Sequence, residues 1–316
     1  MNRSNAAHTD VSVIVSLYNA QDTIELLYAS LKKTMEATDF QWECIFVDDA
    51  STDSTVDVIR PLMDADKRVR TVRMRSTFGE AASLDAGLRY AAGRIIVYLS
   101  GRVNVDPGRI PVFLDRIGPR CDLVSGWRSP RQDSMLNRMV SKIFNSMASL
   151  FLKQRLHDIN SGIMVMKREV LDAISFYGDL YNFIPVLAAE KGYRVAEEKI
   201  AQLRGSFRNS KYPKEYVQRI LDIITVIFLT RYSKKPIHFL GFLGTLFGVA
   251  GFGIEIYLFI YRILGMGPIA GRPLLILGAL LLVIGIQMIS IGLLGEMIIF
   301  THAGEVKEYN IMEIIN

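Results

Sequence analysis

Two adjacent carboxylates, Asp48 and Asp49, close the run Glu43-Cys44-Ile45-Phe46-Val47, and the chain continues Ala50-Ser51-Thr52-Asp53. A short apolar run, rich in β-branched and aromatic residues, that ends abruptly in acids and hydroxyls reads as a buried strand. It delivers its two carboxylates to the rim of a sheet. In open α/β sheets that rim is where ligands bind, because loops at the strand ends leave a crevice. The same residues suit a helix start, with Ser51 or Asp53 capping Thr55-Val56-Asp57-Val58-Ile59. Both readings hold together if Asp49 is an exposed strand-end carboxylate that faces a ligand and adds little to packing. Further chemistry-bearing residues lie downstream: the polar loop His157-Asp158-Ile159-Asn160-Ser161-Gly162, and the basic segment Arg204-Gly205-Ser206-Phe207-Arg208-Asn209-Ser210-Lys211-Tyr212.

The elements that must position these groups alternate in type. Val11-Ser12-Val13-Ile14-Val15-Ser16-Leu17-Tyr18-Asn19 is the first strand, followed by a helix over about 22–35. No glycine-rich turn joins them, which argues against a dinucleotide-binding Rossmann domain. After the strand at 43–49 come a helix over 52–64, a short strand at 69–74, and Ser76-Thr77-Phe78-Gly79 leading a helix to Ala92. Ile95-Ile96-Val97-Tyr98-Leu99 and Asp122-Leu123-Val124-Ser125-Gly126 are further buried strands. Strands alternating with helices predict an α/β fold with a mainly parallel sheet covered on both faces. Residues 134–153 carry apolar side chains at helical spacing (Met135, Met139, Ile143, Met147, Leu150), and the apolar run 163–166 follows the polar loop.

The C-terminal third changes character. Residues 214–231 form an amphipathic pattern, with Tyr216, Ile220, Ile223, Ile224, Ile227 and Phe228 opposite Lys214, Gln218, Arg219 and Asp222. Arg231, Lys234 and Lys235 then precede a long apolar segment, a position that favours a helix lying on a membrane surface. Two stretches, about 237–261 and 273–299, are long enough to span a bilayer. Gly241, Gly244, Gly248, Gly251 and Gly253 put small residues along one side of the first, consistent with close helix packing. Glu255 is the lone acid within it, either a functional group or a partner of Arg262 near a polar interface. The short link at 264–272 makes a helical hairpin with both ends on one side, which Arg231, Lys234 and Lys235 mark as cytoplasmic. The division expected is a cytosolic domain over 1–212, an amphipathic surface helix and basic linker over 213–236, two transmembrane helices over 237–299, and a cytosolic tail over 300–316.

Composition agrees with this division. The 316 residues are half hydrophobic, high for a wholly soluble protein, and the 37 basic and 32 acidic residues leave a net charge of +5. That balance points to a membrane surface or phosphate-bearing ligands rather than bulk nucleic-acid binding. There is no zinc spacing, helix-turn-helix signature or aromatic-and-basic RNA motif. The two cysteines, Cys44 and Cys121, are far apart in sequence and one lies in a strand, which suits a reducing compartment rather than a disulfide framework. The polar start MNRSNAAHTD has no signal-peptide core, so the first domain is expected to stay in the cytosol.

Taken together, several motifs resemble one family. Ser16-Leu17-Tyr18-Asn19, Val47-Asp48-Asp49-Ala50-Ser51-Thr52-Asp53, Phe78-Gly79 and Ala86-Gly87 are similar to the nucleotide-sugar domain of family 2 glycosyltransferases of the GT-A fold. Gly126-Trp127-Arg128-Ser129-Pro130-Arg131-Gln132-Asp133 resembles that family's G-x-R-x-x-R-x-D, and Asp158-Ile159-Asn160-Ser161-Gly162 and Ser210-Lys211-Tyr212 also match. With the paired apolar helices, Gly292-Leu293-Leu294-Gly295-Glu296 and Glu305-Val306-Lys307, the chain resembles the membrane-anchored polyprenyl-phosphate glycosyltransferases. Dolichyl-phosphate mannose synthases and bactoprenol glucosyltransferases belong to that branch.

The resemblance implies an inverting transfer of a monosaccharide from a nucleotide sugar, uridine-linked in preference to guanosine-linked, to polyprenyl phosphate, for cell-envelope glycan assembly or modification. The alternative is a catalytically inactive relative that binds lipid or nucleotide or acts as a scaffold. A processive polysaccharide synthase would carry more membrane helices and a Q-x-x-R-W-type motif. The implied setting is the bacterial inner membrane, multi-pass, with the catalytic domain facing the cytosol. The implied partners are the nucleotide sugar, the lipid and the membrane, with a homo-oligomer compatible and no nucleic acid. By the same resemblance, Ser16, Tyr18, Asn19, Asp48 and Asp49 bind the donor, and Asp49 accepts a hydrogen bond from the base. Asp158 orients the sugar or acts as a base, and Arg128, Arg131 and Lys211 hold the acceptor phosphate.

The departures are as informative. Ser16 and Ala20 stand where the family usually has Pro and Glu. The arginine expected before Ser-Lys-Tyr is out of register, leaving Arg204 and Arg208 as substitutes. The family's Asp-x-Asp-Leu-Gln-x-x-Pro, which holds Mg2+ or Mn2+ with the donor diphosphate, here reads Ser100-Gly101-Arg102-Val103-Asn104-Val105-Asp106-Pro107. Both metal carboxylates are gone. Arg102 is the expected substitute for the metal; Asp106, with Asn104, is the rival ligand if a cation binds.

Overall fold

The structure, a computed structural model, describes residues 9–101, 105–129, 157–158, 161–174, 178–201 and 236–302. The chain divides into two compact units, Met1–Val226 and Ile227–Asn316. The expected helix over 134–153, the amphipathic surface helix over 214–231 and the C-terminal tail lie outside the described residues.

The first unit is built on a seven-stranded sheet. Its strands are β1 (Val11–Leu17), β2 (Trp42–Asp48), β3 (Val69–Arg73), β4 (Ile95–Ser100), β5 (Leu123–Arg128), β6 (Ile163–Lys167) and β7 (Val195–Ile200). They are ordered β3-β2-β1-β4-β6-β5-β7. The helices between them are α1 (Ile24–Glu36), α2 (Thr55–Ala65), α3 (Glu80–Tyr90), α4 (Ile110–Arg116), α5 (Arg168–Asp172) and α6 (Ile184–Glu190). β1 runs parallel to β2 and β4, β2 to β3, and β5 to β7, while β6 is antiparallel to both its neighbours. The expected mainly parallel sheet is therefore present as a mixed, mostly parallel one.

Every residue of β1 and β2 is buried, as their uninterrupted apolar character requires of strands covered on two faces. Side-chain alternation then divides the work. Val11, Val13, Val15 and Leu17 face a core with Cys44, Phe46, Val97 and Leu99, closed by Ile24, Tyr28, Leu31 and Met35 of α1 and Ile110, Phe113 and Leu114 of α4. The α1 residues recur at helical spacing along one stripe, which is why this segment is a helix and why that side of it is buried. The other face of β1 carries Ser12, Ile14 and Ser16 towards α3, and on that face the polar residues of the rim meet.

The second unit is a helical hairpin, α7 (Pro236–Ile263) and α8 (Pro273–His302). Both helices are long and apolar enough to cross a membrane, with mean hydropathy 1.8 and 2.7. At about 1.5 Å rise per residue each exceeds the ~30 Å hydrocarbon core of a bilayer. The seam between them is made of glycines. A Cβ on Gly244 would lie 2.6 Å from the carbonyl oxygen of Gly285, and one on Gly251 would lie 2.7 Å from that of Gly278. Gly248 lies opposite Gly285 in the same seam. A Cβ on Gly248 or Gly253 would meet open space and one on Gly241 only Ile237, so the small residues of α7 do not all share one side as expected. Glu255 does not pair with Arg262; its Oε1 is buried over Gly278 with no hydrogen-bond partner among the described residues. At the tip, Arg272 lies over the Tyr261 ring at 4.2 Å and donates to the Tyr261 hydroxyl at 2.9 Å and to the Pro268 carbonyl at 3.0 Å.

Candidate active site

The carboxyl ends of β1, β2, β4 and β5 lie on one edge of the sheet, since all four strands run the same way. The loops after β1 and β2 are laced together there. Ser51 Oγ accepts from the Asn19 N–H at 2.9 Å, Asn19 Oδ1 accepts from the Thr52 N–H at 2.9 Å, and Thr55 Oγ1 accepts from the Ala20 N–H at 2.8 Å. Asn19 and Ala50 take left-handed backbone conformations, φ 50° and 57°. Asparagine tolerates this region better than alanine does. Neither of the two residues suited to capping α2 is its N-cap, which is Ser54 with no side-chain cap bond; Asp53, one residue earlier, accepts from the Thr55 N–H at 3.0 Å through Oδ1, while Ser51 turns back to Asn19. Desolvation works to raise the Asp53 pKa, but the Thr55 hydroxyl and N–H and the Gln21 N–H outweigh it and hold the carboxyl below the usual range.

Asp49 corrects an expectation. It is 2% exposed, and its two oxygens accept from the backbone N–H groups of Phe78 at 2.7 Å and Gly79 at 2.9 Å. It is a buried brace for the loop that leads into α3, not an exposed carboxylate. Gly79 makes that loop possible, because its φ of +91° is one that residues with a Cβ rarely adopt. Asp48 is fully buried. Its Oδ1 accepts from the Ser51 N–H at 3.2 Å, and its Oδ2, 3.5 Å from Arg73 Nε, has no hydrogen bond among the described residues. Tyr18 is half-exposed at the same rim.

Between β1 and β4 lies a cluster that sequence reasoning missed. Ser16 and Ser100 are register partners. Tyr98, from the interior of β4, sets its hydroxyl 3.1 Å from Ser16 Oγ and 3.3 Å from Glu80 Oε2, and Ser100 Oγ donates to Glu80 Oε1 at 2.7 Å. Burial first, and then the Glu80 charge, push the Tyr98 phenol well above its ordinary pKa, so it remains a donor. Gly101 follows Ser100 and packs its N–H against the Ser16 carbonyl at 2.8 Å; a Cβ there would collide with that oxygen. The available signal for Glu80 was an acid directly after a Phe-Gly turn. Helix dipole logic reads such an acid as ordinary, however.

The second group lies at the end of β5. Arg128 and Asp158 form a buried fork: Nε to Oδ2 at 2.6 Å and Nη2 to Oδ1 at 2.9 Å, with the Arg128 N–H also reaching Oδ2 at 3.2 Å. Two residues assigned separate tasks from sequence are thus one ion pair. Glu197 of β7 pins the segment that carries Asp158. It accepts from the N–H groups of His157 at 2.8 Å and Asp158 at 3.2 Å, and its Oε2 is 2.7 Å from His157 Nδ1. His157 stacks on Trp127 at 4.1 Å, and Lys199 Nζ lies 4.8 Å from the Trp127 ring centroid. Arg102, Asn104, Arg131, Lys211, Arg204 and Arg208 lie outside the described residues.

For a divalent cation, the residues that are described do not fit. β4 ends in a serine and a glycine, and Asp106 commits Oδ1 to the Gly108 N–H at 2.9 Å. No group of three acids, histidines or cysteines among the described residues is placed to hold a metal.

The family described as Glycosyl transferase family 2 matches residues 12–175. A dodecaprenyl-phosphate galacturonate synthase from Rhizobium johnstonii is 30% identical over 299 residues, 93% of this chain and 88% of that protein. An undecaprenyl-phosphate 4-deoxy-4-formamido-L-arabinose transferase from Salmonella choleraesuis is 27% identical over 292 residues, 91% of this chain and 88% of that one. Among solved structures, mannosyl-3-phosphoglycerate synthase from Rubrobacter xylanophilus superposes with a TM-score of 0.57 at 14% identity, covering 70% of this chain and 74% of that one. Glucosyl-3-phosphoglycerate synthase from Mycobacterium tuberculosis, in complex with UDP, gives 0.53 at 18% identity, covering 73% and 86%. At these identities the solved structures establish the fold alone.

Proposed function

The chain belongs to glycosyl transferase family 2, and on that premise we propose that it transfers a monosaccharide from a nucleotide sugar, uridine-linked, to a polyprenyl phosphate at the cytoplasmic face of a bacterial inner membrane. One observation carries the reading. The similarity to polyprenyl-phosphate transferases extends over 91–93% of the chain and so takes in most of the apolar hairpin, whereas the solved structures match 70–73%. A lipid-borne acceptor and a membrane hairpin belong together.

The chemistry asks little of a base, because a phosphate monoester is already anionic at neutral pH. An acceptor phosphate oxygen bonds to the anomeric carbon as the bond from that carbon to the diphosphate breaks, inverting the configuration, and the electron pair leaves on the diphosphate. The protein's work is to place the nucleophile and to stabilise the departing charge. In this reading Ser16, Tyr18, Asn19, Asp48 and Asp49 shape the donor pocket, the last three largely by fixing its loops. Asp158 holds Arg128 through its Nε and Nη2 and so aims the guanidinium, and Arg128, through its remaining N–H groups, receives the acceptor phosphate together with Arg131 and Lys211, cations suited to phosphate oxygens. Arg102 takes the place of the metal beside the diphosphate; if a cation is used after all, Asp106 is its ligand. The domain limits 1–212, 213–236, 237–299 and 300–316 are part of the same proposal.

A second reading, an inactive relative that binds nucleotide or lipid, draws on Ser100-Gly101-Arg102. Membranes containing the chain, incubated with undecaprenyl phosphate and a panel of radiolabelled nucleotide sugars, decide between them. Label entering the solvent-extractable lipid is expected, and substantial wild-type activity should persist in a chelator. No transfer from any donor, with nucleotide or lipid still bound, favours the inactive relative.

A further inference from the structure

Glu80 opens α3 directly after Gly79 and is 8% exposed. Its two oxygens reach the hydroxyls of Ser100 at 2.7 Å and Tyr98 at 3.3 Å. They therefore sit where β1 and β4 end side by side. That is also where the sheet changes the direction of its connections: β2 and β3 lie beyond β1 on one side, β4 on the other. Ligands of open α/β sheets bind at such a point. β4 itself ends in Ser100, where the resembled family has the first acid of its Asp-x-Asp. An aspartate at 100 would push its oxygens against Glu80, whose Oε1 is already 2.7 Å from the shorter serine Oγ. With a serine at the end of β4, the carboxylate at this point of the rim comes from α3.

We infer that Glu80 is a ligand-binding residue of the donor site, accepting a hydrogen bond from a hydroxyl of the nucleotide sugar. The inference rests on the donor reading above. An ionised carboxylate is an acceptor only and repels phosphate oxygens, so the part of the donor it holds is a hydroxyl of the ribose or of the transferred sugar. The Ser100 and Tyr98 hydroxyls, both at Glu80, fix its orientation, and Ser16 continues the same chain of hydroxyls.

Calorimetric titration of the full chain in detergent with UDP and with UDP-glucose tests this. Glu80→Gln is expected to lose about 10- to 100-fold in affinity, the range for a hydrogen bond to a charged group. Ser100→Ala keeps the carboxylate and should stay within about threefold of wild type. Glu80→Gln combined with Ser100→Asp restores an acid at the strand end and should regain about tenfold over Glu80→Gln alone. Losses with both probes put the hydroxyl on the ribose, and a loss with UDP-glucose alone puts it on the sugar. Should Glu80→Gln fail to fold, the doubly substituted chain compared with Ser100→Ala carries the test. Wild-type affinity in Glu80→Gln, equal losses in Glu80→Gln and Ser100→Ala, or no recovery in the double variant each overturns the assignment. A wild-type chain that binds neither probe overturns the uridine-donor reading and this inference with it.

Discussion

Arg128 and Asp158 allow the sharpest quantitative test. Their side chains are 8% and 2% exposed, so solvent screens the pair little, and removing one partner takes the balancing fork from a buried ion. Such a loss costs about 3–5 kcal/mol. Among the described residues, Asp158→Ala abolishes three bonds, two from the guanidinium and one from the Arg128 N–H, whereas Arg128→Ala abolishes two. Asp158→Ala is therefore the more damaging single change. Removing both charges takes the buried pair out as a whole, so the double variant should be little worse than the worse single, a coupling of about 3 kcal/mol. Arg128→Lys keeps the charge but not the fork, at a cost of about 1–2 kcal/mol. Urea denaturation of the full chain in detergent, followed by fluorescence of the adjacent Trp127, gives the four values. Losses that add to within about 0.5 kcal/mol would refute the pair as a unit. Activity of Arg128 variants is to be read only after this cycle, because a fold defect would otherwise pass for a lost phosphate contact.

Ala50→Gly should raise the urea midpoint, relieving about 1 kcal/mol of left-handed strain at φ 57°, and a lowered midpoint refutes that strain. Asp66 has its pKa pulled far below the carboxylate range, chiefly by the Arg68 side chain, with the Arg68 N–H and Tyr28 hydroxyl assisting against desolvation. Its folded pKa is thus below its unfolded value of about 3.9. The stabilisation is complete above that value and disappears as pH falls through the folded one. Asp66→Asn should accordingly be less stable than wild type at neutral pH, with the gap closing in acid; a gap independent of pH refutes this. For topology, Gly267→Cys should react with an impermeant thiol reagent in intact cells and Ser4→Cys should not. The reverse pattern would refute the cytosolic placement of the donor site.

Much of the sheet was legible because its strands are unbroken apolar runs with abrupt polar ends: Val11–Leu17, Trp42–Asp48 and Ile95–Ser100 begin and end within two residues of expectation. The direction of β6 was not, because an apolar run at 163–166 looks the same read either way and only its neighbours orient it. At the site, residue types were easier to find than their partners. Asp49 was expected to be exposed because nothing nearby in sequence claims its oxygens; the donors come from Phe78 and Gly79, about thirty residues on. Glu80 escaped notice for the matching reason, since the hydroxyls it serves are 18 and 20 residues away on another element. Asp158 and Arg128 were both singled out, but their pairing depends on β5 and the start of β6 lying side by side.

The glycine seam of α7 and α8 has a consequence for how this hairpin can drift over generations. Backbone meets backbone at Gly244, Gly251, Gly278 and Gly285, while bulky side chains such as Phe242, Leu246, Phe252, Leu280 and Ile286 point outward. The outer positions ask only for oiliness, so Leu, Ile, Val and Phe are interchangeable there. Gly244, Gly251 and Gly285 refuse even a methyl group, because it would meet backbone of the other helix, whereas at Gly278 it would meet the side chains of Glu255 and Ile254. Saturation mutagenesis of 236–302 should therefore yield a two-class map, broad tolerance punctuated by a few absolute vetoes. The vetoes should fall on one narrow line of each helix.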